Sequence, residues 1–394
     1  MSFSPWPAFT EEEAQTVQNV LLSNKVNYWA GSECREFEKE FATFSETKYA
    51  VALANGTVAL DVAFKALGIG IGDEVIVTSR TFIASVSSIV NAGARPVFTD
   101  IDRDTQNISI DSIQAVLTDK TKAIVCVHLA GWPCDMAPIM NLAHEKALFV
   151  IEDCAQAHGA KYKGRSVGSI GHIGAWSFCQ DKIMSTGGEG GMVTTNDREL
   201  WSKMWSYKDH GKSWESVYEK EHPPGFRWVH DSFGTNWRMT EMQAAIGRIQ
   251  LKRMPGWTVE RQSNANAIWS AARECKLLRV PELSCEGCDC QCESTSGCEH
   301  AAYKCYVFVN GDEAIRDAMM NAINDHGVPC FSGSCSEVYL EHAFDDTDFR
   351  PKERLPVAKQ LGETSLMFLC HPTLTQAEIQ KTCDVIREVA RFFE

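Results

Sequence analysis

Seven short apolar or β-branched runs recur through the first half of the chain, and they constrain its fold more than any other feature. Segments with helical periodicity separate several of them, for instance 57–67 and 85–92. This alternation of strands and helices predicts a largely parallel sheet with helices on both faces. The runs are Ala50–Ala54, Glu74–Thr78, Arg95–Asp100, Thr121–Leu129, Leu148–Asp153, Gly174–Phe178 and Gly191–Thr195.

The rest of the chain predicts a smaller unit. Residues 240–253 have the apolar spacing of an amphipathic helix, and Pro255 is expected to end it. A chain of 394 residues is long enough for one large domain and a smaller companion. We therefore expect a large domain, with the N-terminal segment, over 1–255 and a small α/β domain over 256–394. Its main predicted elements are a strand and two helices, at 303–309, 312–326 and 376–393.

Charge and apolar content exclude some classes of protein. The formal net charge of −14 argues against a nucleic-acid partner, because surfaces that bind nucleic acids are basic. No apolar run approaches the length of a membrane span, and the first residues lack the basic end and apolar core of a signal peptide. The sequence therefore predicts a cytoplasmic protein without a membrane partner, and cysteines that are reduced.

Two residues near predicted strand ends indicate cofactor chemistry. Lys182 precedes a loop rich in glycine, where a confined ammonium loses its proton more readily and can form a Schiff base. Asp153 ends an apolar run, at the edge of the sheet where α/β proteins place ligand groups. Taken singly, Lys182 is explained as a surface lysine and Asp153 as the N-cap of a helix. Their combination is what favours a shared site.

Pyridoxal phosphate (PLP) requires the side chains that this pair supplies. Its aldehyde needs a lysine, and its ring nitrogen needs a carboxylate that keeps it protonated, so that the ring can withdraw electrons. Asn55, Gly56 and Thr57 end the first predicted strand and begin a helix, whose free N–H groups suit a phosphate. A strand–helix turn with a Thr cap explains the same three residues without any ligand.

The motifs around these residues resemble those of a known family. The chain is similar to the PLP-dependent sugar aminotransferases of the DegT/DnrJ/StrS type, which belong to the aspartate aminotransferase (fold type I) superfamily. The resemblance runs through most of the chain. The segments that carry it are Val26–Gly31, Asn55–Leu60, His128–Pro133, Asp153–Gly159, Ser177–Gly191 and Asn236–Ala245.

The resemblance implies the fold and several contacts to PLP. It implies a fold type I PLP-dependent transferase, with a seven-stranded, mostly parallel sheet in the large domain and a smaller α/β domain after it. Lys182 and Asp153 would be the catalytic residues and would both contact the cofactor. The phosphate of PLP would bind Gly56, Thr57 and the hydroxyl of Ser177.

Five further residues receive roles from the resemblance. Phe82 would stack on the pyridine ring, and Gln156 would lie near the ring oxygen. Asn236 and Arg238 would reach across a homodimer interface, Asn236 to the cofactor phosphate and Arg238 to the substrate, which makes two composite sites. His158 is a candidate substrate contact. Without the resemblance, Phe82 is explained as a core residue, His158 as a buried histidine and Arg238 as a stabilising residue at a helix start.

The implied reaction is a ping-pong transamination in amino sugar or polysaccharide biosynthesis. Glutamate would be the amino donor, and a keto-sugar, expected to be linked to a nucleotide, would be the acceptor. The freed amine of Lys182 would act as general base. Two alternatives stay open, which are a PLP-dependent sugar dehydratase of the same fold and a PLP-binding regulatory protein.

A cysteine-rich insertion at 285–300 departs from the family pattern. It contains five cysteines and one histidine, whose spacing is not that of a standard zinc finger. A surface loop with reduced thiols, a structural metal site and a redox clip all explain it, and we expect no metal in the catalytic site. A metal-binding interaction protein built around this insertion would leave Asp153 and Lys182 unexplained.

Overall fold

The computed structural model describes residues 3–282 and 297–394. Within these residues no helix is both long enough and apolar enough to cross a membrane. The helices are α1 (Glu11–Leu22), α2 (Glu33–Phe44), α3 (Gly56–Leu67), α4 (Ala84–Asn91), α5 (Ile110–Gln114), α6 (Met136–Lys146), α7 (Arg198–Lys208), α8 (Trp214–Tyr218), α9 (Glu241–Arg273), α10 (Glu313–Asp325), α11 (Pro356–Thr364) and α12 (Gln376–Phe393). Short 3₁₀ helices cover Leu129–Gly131, Val338–Leu340 and His342–Phe344.

The strands form two main sheets and one small ribbon. The large sheet contains β1 (Tyr49–Leu53), β2 (Glu74–Thr78), β3 (Arg95–Thr99), β4 (Thr121–Val127), β5 (Phe149–Asp153), β8 (Ile173–Ser177) and β9 (Gly191–Thr195). The ribbon contains β6 (Lys161–Tyr162) and β7 (Arg165–Ser166). The small sheet contains β10 (Leu278–Arg279), β11 (Cys305–Val309), β12 (Cys330–Phe331) and β13 (Ser365–Phe368).

The large sheet confirms the predicted architecture. Its seven strands lie in the order β1–β9–β8–β5–β4–β2–β3. The pairs among β2, β3, β4, β5 and β8 are parallel, whereas β9 is antiparallel to both β1 and β8. The strand residues are buried almost throughout, because helices cover the faces of a parallel sheet. All seven predicted strands are present, and their ends agree with the prediction to within two residues.

The C-terminal part of the chain builds a separate core. The small sheet is antiparallel, in the order β10–β11–β13–β12. Its apolar residues pack with those of α10, α12 and the second half of α9 in one buried cluster. We call these elements together the small-sheet unit. The predicted strand at 303–309 and the predicted helices at 312–326 and 376–393 correspond to β11, α10 and α12.

Helix α9 is much longer than the predicted helix at 240–253. It runs for 33 residues with Pro255 inside it, so the prediction that Pro255 ends the helix is wrong. A proline inside a helix costs about 3 kcal/mol. Buried apolar residues on both sides of it, such as Leu251 and Ile268, offset that cost through tertiary packing. The division of the chain at 255/256 stays a prediction, and α9 crosses that point without a loop.

The two halves of α9 contact different parts of the molecule. In its first half, the Arg248 guanidinium donates to Glu33 at 2.7 Å and to Glu40 at 2.7–3.1 Å, which joins the helix to α2. In its second half, Trp269 Nε1 donates to the Tyr306 carbonyl in β11 at 2.9 Å. The helix therefore connects the side of the large sheet to the small-sheet unit.

Candidate active site

Three strands of the large sheet end at the same edge and bring the predicted site residues together. β5 ends at Asp153, which pairs in register with Ala175, two residues before Ser177 at the end of β8. Ser177 pairs with Gly191 at the start of the antiparallel β9, and Gly191 pairs with Leu53 at the end of β1. The sheet order thus gathers chain segments that are more than 100 residues apart in sequence at one edge.

A pocket of about 540 Å³ opens at this edge. It is lined by most of the residues that the sequence predicts to bind PLP, which are Gly56, Thr57, Phe82, Asp153, Gln156, Ser177 and Lys182. Asp181 and Glu189, from the lysine-bearing loop, also line it. Three predicted site residues lie outside this lining, namely His158, Asn236 and Arg238.

One end of the pocket has the features of a phosphate cradle. Asn55 caps α3, and its side chain accepts from the backbone N–H of Val58 at 3.0 Å. A Cβ added to Gly56 would lie 2.5 Å from Ser177 Cβ and 2.9 Å from its Oγ, so only glycine allows this approach. The N-terminus of the helix and the Ser177 hydroxyl therefore face the same space. Both stabilise an anion, and the residues present fit the phosphate of PLP.

Asp153 provides a buried carboxylate at another side of the pocket. Its residue is 6% exposed. The Ser85 hydroxyl donates to Oδ2 at 2.7 Å, and the Ala155 N–H donates to Oδ1 at 3.1 Å. Among the described residues no lysine, arginine or histidine forms a salt bridge with it. A buried carboxylate is stable when a cation pairs with it, and the protonated ring nitrogen of PLP would supply that cation.

Phe82 and Gln156 contribute differently to the pocket. Phe82 is 68% exposed although it is a large apolar side chain, and its ring borders the pocket. Such exposure fits a ring that a bound aromatic group would cover. Gln156 is 8% exposed, and its Oε1 accepts from the Ala130 N–H at 2.8 Å. That hydrogen bond fixes the side chain at the pocket wall.

Lys182 lies on a loop that closes on itself between β8 and β9. The Phe178 N–H donates to the Gly190 carbonyl at 2.8 Å, and the Ser185 N–H donates to Gln250 of α9 at 2.8 Å. The Lys182 side chain is only 16% exposed, and its Nζ lies 3.9 Å from Asp181 Oδ1. The loop thus presents the amine to the pocket on a backbone that is fixed at several points.

His158 lies behind the pocket wall. Its ring is fully buried and packs 5.2 Å from the Trp176 ring and 5.6 Å from the Phe178 ring. Burial, with Lys182 and Arg261 nearby, lowers the pKa of His158 to about 3, so its imidazole is neutral at physiological pH. Its role as a substrate contact stays a prediction.

Asn236 and Arg238 lie beside the end of β1, next to the pocket. Asn236 is exposed, and it forms an isolated antiparallel bridge with Asp209. Arg238 Nη1 donates to Asp209 Oδ1 at 2.7 Å, and Lys212 Nζ donates to the same oxygen at 2.9 Å. Arg238 therefore pairs within its own chain. Their proposed reach across a dimer interface stays a prediction.

Four residues near the site have no role in the sequence-based prediction. Ser85 orients Asp153, Asp181 approaches the Lys182 amine, and Trp6 and Tyr303 contact the lysine-bearing loop. Of these four, only Asp181 could have been found from the local sequence, because it is adjacent to Lys182. The others lie between 68 and 176 positions from their partners, a separation that no local motif records.

Another buried acidic group near the site has a structural role. Glu152 accepts from His128 Nε2 at 3.0 Å and from the N–H groups of Gly168, Ile170 and Gly171 at 2.6–2.8 Å. His128 and these backbone donors lower the pKa of the Glu152 carboxyl against the opposing effect of burial. Its oxygens are thus satisfied by the protein, and the group fixes the turn between β7 and β8.

The predictions about cysteines fall partly outside the described residues. Cys126, Cys154, Cys275, Cys330 and Cys370 are free thiols buried in the fold, as predicted. Residues 285–296 of the insertion lie outside the described part, and its last residues, 297–300, are described. There Cys298 is disulfide-bonded, so the prediction of reduced cysteines is wrong at this position. The other cysteines of the insertion lie outside the described residues, so its role as a loop, a metal site or a redox clip stays a prediction.

Comparison with known proteins identifies the family. The DegT/DnrJ/EryC1/StrS aminotransferase family matches residues 7–387. The chain belongs to this family. It is therefore an aminotransferase of the PLP-dependent fold type I class, as the sheet and the pocket geometry already indicated.

Individual relatives support the same assignment. A GDP-perosamine synthase of Escherichia coli O157:H7 is 45% identical over 251 residues, which are 63% of this chain and 65% of that protein. A UDP-N-acetyl-3-dehydro-alpha-D-glucosamine 3-aminotransferase of Acidithiobacillus ferrooxidans is 36% identical over 93% of this chain and 91% of its own length. The crystal structure of an aminotransferase from Psychrobacter cryohalolentis is 66% identical, with a TM-score of 0.94 over 98% of each chain.

Proposed function

We propose that this aminotransferase moves an amino group from glutamate to a keto-sugar that is linked to a nucleotide. The observation that carries the proposal is that one pocket is lined by Lys182, by Asp153 and by the N-terminus of α3, where Gly56 leaves room beside Ser177. The relatives support a nucleotide-linked sugar as the acceptor, because one is named for a GDP-sugar and another for a UDP-sugar.

The cofactor would be held at several points of the pocket. The N–H groups at Gly56 and Thr57 and the hydroxyl of Ser177 would bind its phosphate, and Phe82 would cover its ring. Bound in this way, PLP supplies an aldehyde for amine exchange and a ring that withdraws electrons from the reacting carbon. Gln156 would lie beside the ring oxygen.

Lys182 and Asp153 would carry out the protein's share of the chemistry. Lys182 would bind the cofactor covalently and, once the amino donor has displaced it, would carry the proton from the donor Cα. Asp153, oriented by Ser85 and by the Ala155 N–H, would hold the positive charge at the ring nitrogen. The second half of the reaction would use the same groups in reverse order, with the sugar as acceptor.

The proposal includes a homodimer with composite sites. Asn236 is exposed and lies beside the pocket edge, where a neighbouring copy could receive it. Arg238 would have to exchange its pairing with Asp209 for a contact in the neighbouring site. The cytoplasmic location that the sequence predicts is part of the same proposal.

Visible absorption spectroscopy tests the donor half of the reaction. Purified protein is loaded with PLP, and its spectrum is recorded before and after glutamate is added. We expect a visible band that glutamate converts to the pyridoxamine form, that is absent in Lys182→Ala, and that persists in Lys203→Ala. Lys203 is a matched control because it lies on α7, paired with Glu199 and outside the pocket.

The acceptor half requires a second measurement. The aminated protein is mixed with GDP-, UDP- and dTDP-linked keto-sugars, and recovery of the visible band is followed together with product mass. Recovery with one of them identifies the acceptor. A band that no amino acid converts would contradict the transaminase proposal and favour the dehydratase or the regulatory protein.

A further inference from the structure

Two hydrogen bonds reach Lys182 and its neighbour Asp181 from outside the large sheet. Trp6 Nε1 donates to the carbonyl oxygen of Lys182 at 2.8 Å. The Tyr303 hydroxyl donates to Oδ2 of Asp181, the preceding residue, at 2.5 Å. One bond therefore fixes the backbone of the reacting lysine, and the other fixes the side chain next to it.

Trp6 is attached to the small-sheet unit rather than to the large sheet. Its indole ring lies edge-on to Trp257 at 5.1 Å and stacks on His371 at 5.9 Å. The guanidinium of Arg261 in α9 lies 4.8 Å from the same ring. Arg261 is 1% exposed, and its Nε and Nη2 have no hydrogen-bond partner among the described residues. Its Nη1 donates to the Ala302 carbonyl at 3.5 Å, and the face of the indole ring is a further contact of this buried cation.

The residues next to Trp6 in the chain also bond to the C-terminal part of the protein. The Ser4 hydroxyl donates to Glu378 of α12 at 3.0 Å, and the Thr373 hydroxyl donates to the Pro5 carbonyl at 2.8 Å. Both partners follow β13 in the chain. The position of Trp6, and with it the hydrogen bond to Lys182, is therefore set by the small-sheet unit.

Tyr303 approaches the loop from the segment just before β11. It is 6% exposed, and its N–H donates to the Ala130 carbonyl at 2.9 Å. Its ring face lies 5.4 Å from Lys182 Nζ. The Asp181 side chain is 61% exposed, so the carboxylate would be free to rotate without the Tyr303 hydroxyl. With it, the other carboxylate oxygen stays 3.9 Å from the lysine amine.

We propose that Trp6, held by the small-sheet unit, and Tyr303, just before β11, are positioning residues that together set the orientation of the Lys182 amine in the pocket. The proposal rests on the proposed function only in making Lys182 the reacting amine. Neither residue needs to contact substrate. Reaction rates depend steeply on the placement of a reacting group, and a misplacement of about 1 Å can cost about 100-fold. Loss of either hydrogen bond should thus slow the steps at Lys182 and leave substrate binding largely unchanged.

Two variants with matched controls test the proposal. Trp6→Phe and Tyr303→Phe each remove one donor and keep a ring. Trp201→Phe and Tyr306→Phe change rings of the same kind that contact neither Trp6 nor the loop, since Trp201 stacks on Tyr49 and Tyr306 bonds Ser334. The first readout is the rate at which each apoprotein captures PLP on Lys182, followed by the rise of the visible band. It requires no turnover, so it distinguishes failure of this proposal from failure of the proposed function.

The expected result is a change in rate without a change in donor affinity. We expect Trp6→Phe and Tyr303→Phe to capture PLP about 10-fold more slowly than wild type and to lower kcat similarly, with KM for the donor within about twofold. The control variants should capture PLP at the wild-type rate. Equal rates in all four variants would overturn the proposal, because a packing role alone affects test and control variants alike.

Variants of Asp181 distinguish the effect of its hydrogen bond to Tyr303 from the effect of its negative charge. Asp181→Asn still offers an oxygen acceptor to Tyr303, whereas Asp181→Ala does not. The proposal expects Asp181→Asn to capture PLP within about threefold of wild type and Asp181→Ala to resemble Tyr303→Phe. If Asp181→Asn is as slow as Asp181→Ala, the carboxylate charge and not the hydrogen bond is responsible, and the role of Tyr303 is refuted. Urea unfolding of each apoprotein verifies that the variants are folded.

Discussion

The buried ring of His158 leads to a quantitative prediction about acid stability. The imidazole is fully buried between Trp176 and Phe178, and neither ring nitrogen has a hydrogen-bond partner among the residues that the structure describes. Burial lowers its pKa from 6.5 to about 3. In the unfolded chain the ring has its ordinary pKa, so below about pH 6.5 the unfolded state binds one proton more than the folded state.

The sign and size of the effect follow from this difference. The contribution of neutral His158 to stability is complete above pH 6.5 and is lost as the pH falls towards 3. Between pH 7.5 and pH 5.5 the loss amounts to about 1.4 kcal/mol of unfolding free energy. His158→Phe preserves the aromatic contacts and removes the titrating group. The variant should therefore lose about 1.4 kcal/mol less than wild type over the same pH range.

Urea unfolding of the apoprotein at the two pH values measures this difference directly. The control is His144→Gln, because His144 lies on α6 with an exposed side chain. We expect the control to have the same pH dependence as wild type. The reasoning is refuted if His158→Phe and wild type lose equal stability between pH 7.5 and pH 5.5, since His158 would then titrate alike in both states.

Three further perturbations have distinct expected outcomes. Gly56→Ala should weaken PLP binding at least about 10-fold in a fluorescence titration, because the new Cβ would lie 2.5 Å from Ser177. The control is Gly256→Ala in α9, which should bind PLP normally because a Cβ there meets nothing within 4 Å. Asp153→Asn should still bind PLP but lower kcat by about 100-fold or more, since a buried charge pair is lost; a loss under about threefold would contradict its role. Arg248→Ala should lower the free energy of unfolding in urea by about 1–2 kcal/mol, because the charged hydrogen bonds of Arg248 to two glutamates of α2 disappear. An unchanged urea midpoint would show that these hydrogen bonds contribute nothing to stability.

Local sequence patterns were sufficient for the large sheet and for most of the pocket. Each strand of the sheet is a short apolar run between turn residues, so its position can be predicted without knowing its neighbours. Asp153, Ser177 and Gly56 follow directly from such strands, because the ends of parallel strands meet at one edge. The family motifs then placed Lys182 and Phe82 in the same pocket.

Contacts between distant segments were beyond the reach of the same patterns. Pro255 is a reliable helix terminator in isolation, yet packing along α9 keeps it inside the helix. Ser85 gives no sign that it faces Asp153, and Trp6 gives none that it bonds Lys182. Such contacts depend on the angle at which helices and sheets pack, which one sequence does not reveal.

The continuity of α9 restricts how this chain can vary in length. At about 1.5 Å and 100° per residue, one inserted residue would rotate everything beyond it by more than a quarter turn. Arg248 would keep its partners in α2, but Trp269 would face away from β11. An insertion of seven residues, close to two full turns, would restore the facing but displace the small-sheet unit by about 10 Å. Between these two contacts the helix therefore acts as a fixed spacer, and we expect homologues to differ in length in their loops and not here.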